Sequence, residues 1–422
     1  MYRMSSTWTA GGRPVVQNRT LNAATVLFLF GLIPGFYESR HPEAFGFGRG
    51  YEMAAIARSL AATNTFGNPF EPHITGPTAS NPPLYPFLLG VLLKAFGPSG
   101  TVLIAILLNI LLNAAIAALL PRLSSVFFGD RIPGIFAGGF WILTMRLMPQ
   151  WDTTCTVAGM IVICLLVAHD VAQSRYGLGT GIVCGAVSLL NPSVVLIFVP
   201  WVVYVLVVRR VPRLAAFRYV AFVVAAVAVC NLPWIVRNYR LWHAPVLRTN
   251  LGYTIYSSNN DCAQPSLYWN TRVGCYQRTH PSASAAEIRL LETLGEVEYD
   301  RLRLADSLRW IGSHPRRFRE LTFARFVEFW FPNPGIAPRT AYAIWIITAL
   351  SFPGILLMAR RRESVAIYTV AVWILYPLLF YVVVSDERYR FPLLWTSLLA
   401  AGYFAAHVWS RYVCPGAHLL SR

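Results

Sequence analysis

The stretch "PPLYPFLLGVLLKAFG", residues 82–97, decides the fold, because its crossing or not crossing a membrane sets the side of every later loop. It opens on two prolines, contains Lys94, and is followed almost at once by a second apolar run. Eleven apolar segments can be marked along the chain: 21–37, 83–97, 100–120, 132–149, 154–169, 177–190, 193–208, 214–236, 340–358, 365–384 and 391–410. With an inner N-terminus and all eleven crossing, Arg209 to Arg218 and Arg360 to Arg362 would face outward, against the inside bias of short basic loops. Removing 83–97 from the count restores agreement. That segment is therefore expected to lie in, or dip into, the outer leaflet, leaving about ten spans.

Composition supports the same class. The 422 residues are 55% hydrophobic and 13% charged, with a mean hydropathy of +0.48, which describes an all-α polytopic membrane protein. A net charge of +17 is high enough to raise nucleic acid as a partner. Its placement in short patches between apolar runs, with no basic aromatic module, excludes that reading. The run from Leu21 to Phe36 has no small-x-small cleavage site and reads as an uncleaved first span.

The ten-span reading divides the chain into a membrane module at 1–236, which includes a first outer loop at 38–99, an outer cap at 237–338, and C-terminal membrane helices at 339–422. Residues 237–338 are too long for a connector and show helical periodicity near 284–294, 297–312 and 316–330, so a small, mainly helical cap is expected. In the first loop, "RGYEMAAIARSL" (49–60) places Met53, Ile56, Ala57 and Leu60 on one stripe. This makes an interfacial helix too short and polar to span. Cys262 and Cys275 both fall in the cap, where an oxidising compartment makes a disulfide the expected state and free thiols the alternative.

Outer-face carboxylates are the natural candidates for acid–base chemistry. Glu52 sits on the interfacial helix, where partial burial would make it a better base, or it pairs with Arg49 as a solvated flank. Asp152, in "MPQWDTTC", is a second candidate and equally a helix N-cap. Arg237, Arg388 and Arg390 emerge from span ends at the same surface and suit a phosphate at headgroup depth, or they snorkel to lipid. His73 is a further candidate phosphate or metal contact. Tyr51, Asn81, Tyr85 and Tyr389 are expected to line the substrate.

The order of these features resembles the lipid-linked-sugar glycosyltransferases of the C superfamily, specifically family 39, which includes protein O-mannosyltransferases and the aminoarabinose transferase of lipid A. Four stretches carry the resemblance: "GYEMAAIARSLAATNTFGNPF" with "TGPTASNPPLYPFLLGVLLKAFG", then "NLPWIVRNYRLWHAPVLRTNLGYTIYSSNN", then "LGEVEYDRLRLADSLRWIGSHPRRFRELTFARFVEFW", and "ERYRFPL". The resemblance implies a polyprenyl-phosphate-linked sugar donor, an acceptor hydroxyl on lipid, glycan or protein, and inverting transfer at the outer face of a bacterial inner membrane. It also implies a first-loop Asp just before the interfacial helix. Aligned on Ile56–Arg58, that position holds Arg49 here, with Glu52 one turn later; where relatives often carry Glu-Lys, this chain has Ser80-Asn81. No cofactor follows with certainty, and a divalent metal is left open. A flippase of lipid-linked sugars and an inactive family member are the alternatives.

Overall fold

A computed structural model describes residues 17–41, 51–335 and 337–413. Arg49, on which the departure from the family pattern rests, lies outside the described residues. Among them the chain is helical, with two isolated bridges instead of strands. In order the helices are α1 Gln17–Glu38, α2 Glu52–Thr63, α3 Leu84–Phe128, α4 Ile132–Thr144, α5 Thr153–Ala172, α6 Leu178–Leu190, α7 Val195–Val208 and α8 Arg213–Trp242. Then come α9 Leu251–Ser258, α10 Leu267–Arg272, α11 Tyr276–Thr279, α12 Ala285–Leu294, α13 Glu296–Ser313 and α14 Pro315–Trp330. The chain returns through α15 Pro338–Arg360, α16 Val365–Tyr381 and α17 Phe391–Tyr412.

Ten of these are apolar. Five (α3, α5, α8, α15 and α17) are long and apolar enough to cross a bilayer, and five shorter ones lie in α1, α4, α6, α7 and α16. The expected all-α polytopic membrane architecture is therefore what the chain adopts. The stretch 82–97 forms the first arm of α3, set off by a kink at Gly97 (φ 66°, ψ −179°) from the part that runs on to Phe128. A backbone that reverses here needs the left-handed region open to glycine. Before the bend, Tyr85 and Leu89 pack on Met53 and Ala57 of α2, the predicted apolar stripe. The first loop is thus folded onto the helical bundle as an α2–α3 hairpin.

The fourth apolar segment departs from expectation. It was read as continuous to 149, but α4 stops at Thr144, and Met145 is extended (φ −60°, ψ 142°). Pro149 disfavours helix for the residue before it, and residues 145–152 run irregularly across the end of the bundle. "NPS" at 191–193 does make a tight turn, with Asn191 accepting from Ser193 N–H at 3.2 Å, so α6 and α7 are two separate helices.

Close helix approach is bought by glycine. A Cβ at Gly354 of α15 would overlap the Ala400 carbonyl of α17, and one at Gly402 would overlap the Pro133 carbonyl of α4. Small residues at such crossings replace the hydrophobic drive that lipid removes. Gly354→Ala should therefore cost about 1–3 kcal/mol through overpacking. Gly139→Ala, at a site with no neighbour for a Cβ, should be near neutral. Thermal unfolding of the detergent-solubilised variants checks the contrast; equal melting points would refute the close-packing account.

Candidate active site

Several helix ends and connecting segments border a cavity of about 480 Å³. Its wall is built from the start of α2 (Tyr51, Glu52), Asn81 before α3, the irregular 146–153 segment, the α6–α7 turn (Asn191, Ser193), residues 248–280 and the 386–389 turn before α17.

The irregular segment forms one wall because its polar groups are individually held. Glu38 accepts from Leu147 N–H at 2.8 Å, Asn109 from Met148 N–H at 3.3 Å, and the Tyr85 hydroxyl donates to the Pro149 carbonyl at 2.6 Å. Arg339 donates to the Met145 carbonyl at 2.9 Å. Tyr85, expected to touch substrate, is instead buried as an anchor of this wall.

Glu52 is the carboxylate best presented. One oxygen accepts from Asn81 Nδ2 at 3.2 Å and the other lies 3.5 Å from His280 Nε2. Tyr51 stands edge-on to Trp151 with ring centres 6.0 Å apart, on the same wall. Asp152 also borders the cavity, but its side chain does not cap α5; it accepts from the Thr156 hydroxyl at 2.9 Å. Burial raises its pKa, against the lowering effect of Thr156, Arg248 and Arg388.

Of the three expected phosphate arginines, one faces the cavity. Arg388 lies over the Trp151 ring at 3.6 Å and 3.4 Å from Asp386. Burial pulls its pKa down, but Asp386, Tyr389, Glu52 and Asp152 outweigh this and hold the guanidinium protonated beyond its ordinary range. Tyr389 is stacked on Phe380 beside it. Arg237 does not reach the cavity. It sits among Phe66, Trp234 and Trp242 and donates to the Thr78 and Phe66 carbonyls, so it ties the first loop to α8. Arg390 also turns away: it is 1% exposed, bonded to Ser397 and stacked on Trp330. His73 is on the surface, 3.7 Å from Glu292.

The sequence reading missed Arg248, Arg146 and His280. Arg248 borders the cavity while donating to the Ser80 carbonyl at 2.9 Å, and Arg146 does so while paired with Glu387. Arg248 lies in the same quoted exit stretch as Arg237, and only the fold distinguishes which of the two turns inward. Cys262 and Cys275 are joined by a disulfide beneath α10. No group of three His, Cys, Asp or Glu that could hold a metal ion forms among the described residues.

The loop 78–81 that carries Asn81 is clamped by a buried carboxylate. Glu296 accepts from Ala79 N–H at 2.7 Å and from the Thr249 hydroxyl. Burial raises its pKa above the ordinary 4.5. The folded state then binds more protons than the unfolded chain between 4.5 and the raised value, so stability falls as pH rises through that window. Glu296→Gln should stay folded and flatten this fall. Melting temperature recorded against pH tests it, and an unaltered slope would count against the assignment.

No family model matches the chain, and no curated protein matches it. Among solved structures, the archaeal oligosaccharyltransferase AglB from Archaeoglobus fulgidus, in complex with an inhibitory peptide and a dolichol-phosphate, matches with a TM-score of 0.51 at 12% identity. The match covers 94% of this chain and 51% of that one. The apo form of the Archaeoglobus fulgidus oligosaccharyltransferase gives 0.52 at 11% identity, covering 94% and 52%. The chain thus spans about half the length of these neighbours. At this identity the likeness shows the fold alone: the chain shares the helical membrane architecture of about half of these oligosaccharyltransferase chains.

Proposed function

We propose that the protein is a membrane glycosyltransferase that moves a sugar from a polyprenyl-phosphate donor to an acceptor hydroxyl, with inversion, in the cavity bordered by Glu52 and Arg388. The observation that carries this reading is the meeting of a carboxylate and two cavity-facing arginines, Arg388 and Arg248, at one end of a lipid-embedded bundle. Support for the donor class comes from the neighbour that binds dolichol-phosphate within the same fold. Leu190, Leu379 and Phe380 give the cavity an apolar border on the bundle side, suited to the first units of a lipid tail.

The Arg-rich ends lie opposite the cavity. Arg209 and Arg210 follow α7, Arg213 and Arg218 lie in the first turns of α8, Arg360 ends α15, and Arg361 and Arg362 follow it. On the inside bias of basic loops, the cavity opens to the outer face, which in a bacterial inner membrane is the periplasm.

In the proposed reaction, Glu52 takes the proton of the acceptor hydroxyl as its oxygen attacks the anomeric carbon. The bond from that carbon to the phosphate oxygen breaks with its electron pair, and polyprenyl phosphate leaves with one further negative charge. Arg388 and Arg248 are placed to stabilise that charge as it develops. A stable leaving group lessens the demand on the base. The donors present do not form a metal site among the described residues, so no step is routed through a metal.

The test is release of undecaprenyl phosphate from a panel of synthetic undecaprenyl-phosphate hexoses and pentoses in membranes containing the protein. Glu52→Gln should lower kcat by about 100-fold or more, as loss of a general base does. Arg388→Ala and Arg248→Ala should each lower it by about 100-fold through lost charge stabilisation. Cleavage unaffected in all three variants would sink the assignments, and transbilayer movement of intact donor without cleavage would replace transfer with transport.

A further inference from the structure

The position of His280 ties the cap to the carboxylate, and the inference drawn from it rests on the reading of Glu52 as the base. We propose that His280 is the positioning residue of Glu52: from the turn after α11 it presents Nε2–H to one carboxylate oxygen while Asn81 holds the other.

The tautomer follows from the hydrogen-bond network. Ser282 N–H donates to His280 Nδ1 at 3.2 Å, so Nδ1 carries the lone pair and the ring proton of the neutral imidazole is on Nε2. That nitrogen is the one 3.5 Å from Glu52 Oε1. The separation is somewhat long for a hydrogen bond, as catalytic contacts commonly are before substrate closes the site.

The ring has little freedom to do anything else. It stacks on Tyr276 at 4.5 Å with planes 16° apart, and meets Tyr253 and Phe70 edge-on at 5.6 and 6.1 Å. The backbone N–H of His280 donates to the Tyr276 carbonyl at 3.0 Å, and its backbone carbonyl accepts from the N–H groups of Ala283 and Ser284. Side-chain exposure is 13% for His280 and 15% for Glu52, so solvent competes little for either.

The titratable and charged groups facing the ring are Glu52 from α2, Arg388 from the turn before α17, Tyr276 from α11 and Tyr253 from α9. Burial lowers the pKa of His280, Glu52 opposes this, and Arg388 lowers it further. The ring is therefore a neutral donor at neutral pH. A neutral donor orients a carboxylate without the strong loss of basicity that an adjoining Arg or Lys would impose. Because His280 belongs to the region between α8 and α15, and Glu52 to the first loop, the base is set only when these two regions are docked.

Two measurements decide the matter. In the undecaprenyl-phosphate sugar assay, His280→Phe keeps an aromatic ring but loses the donor. It should lower kcat about 10- to 100-fold with KM within about threefold, as a misaligned reacting group does. His280→Gln restores an amide N–H near the position of Nε2 and should stay within about fivefold of the wild type. Wild-type kcat in His280→Phe, or equal losses in both variants, would overturn the proposal.

The second readout needs no substrate and remains decisive if His280→Phe does not fold. Histidine-labelled protein in lipid nanodiscs is titrated by NMR, with the His280 signal identified by its loss in His280→Gln. The Nε2–H tautomer is expected, together with a protonation midpoint that falls further in Glu52→Gln, where the carboxylate no longer favours the imidazolium. A midpoint unmoved by Glu52→Gln overturns the pairing. Should Glu52→Gln instead keep full transfer, the base assignment falls while the titration still judges the pairing.

Discussion

The site depends on a stretch of backbone that crosses the end of a membrane bundle without being helical. Between α4 and α5, residues 145–152 forgo the internal hydrogen bonds that a helix supplies, in surroundings where an unpaired N–H or C=O is costly. The chain answers with four side chains from three other elements: Glu38 from α1, Tyr85 and Asn109 from α3, and Arg339 from α15. Irregular backbone at this depth is tolerated where it borders a cavity and is buried in protein. Trp151 and Asp152 border the cavity because of it, and Arg388 has a ring to lie against.

A second constraint acts across the cavity. The loop 78–81 is gripped from three sides, by Glu296 on Ala79, by Arg248 on Ser80 and by Arg237 on Thr78. On the far side, buried Arg325 of α14 bonds to Asn259 at 3.0 Å and to the Val382 carbonyl at 3.2 Å, which fixes the start of the loop that carries Arg388. The segment between α8 and α15 therefore holds both the loop whose Asn81 bonds to Glu52 and the loop that carries Arg388. A change in its docking would alter the distance between the two kinds of group.

Much of this was legible in the sequence where a period or a charge rule applied. The apolar stripe on α2 packs where its spacing placed it, and the helical patterns near 284–294, 297–312 and 316–330 match α12, α13 and α14 within a few residues. Charge parity denies 83–97 a crossing of its own, and in the structure this segment is a helical arm set off from the rest of α3 by the bend at Gly97. Side-chain direction at helix ends was not legible. Arg237 and Arg248 sit eleven residues apart in one stretch, and only tertiary packing sends the first into an aromatic cage and the second to the cavity. Arg390 belongs to the same short motif as Arg388, yet it is the N-cap residue of α17 and its side chain is buried in the core. The early end of α4 was hidden because its continuation, Met145 to Met148, is as apolar in large part as a helix would be.

Charge pairing inside the cavity points to where chemistry is concentrated. Arg146 is taken by Glu387, and Arg388 has Asp386 beside it. Arg248 gives its hydrogen bond to a neutral carbonyl and has no carboxylate in ion-pair contact among the described residues. Glu52 is held by an amide and a neutral imidazole, with no arginine or lysine in ion-pair contact. One cation and one anion on the cavity wall thus keep most of their charge uncompensated by direct partners. Leaving both so in a partly buried space is costly unless something else completes them. A ligand that carries a phosphate to the arginine and a proton to the carboxylate would compensate both at once. Compensation would be greatest as the proton moves and the phosphate gains charge, which is when a catalyst needs its electrostatic complement.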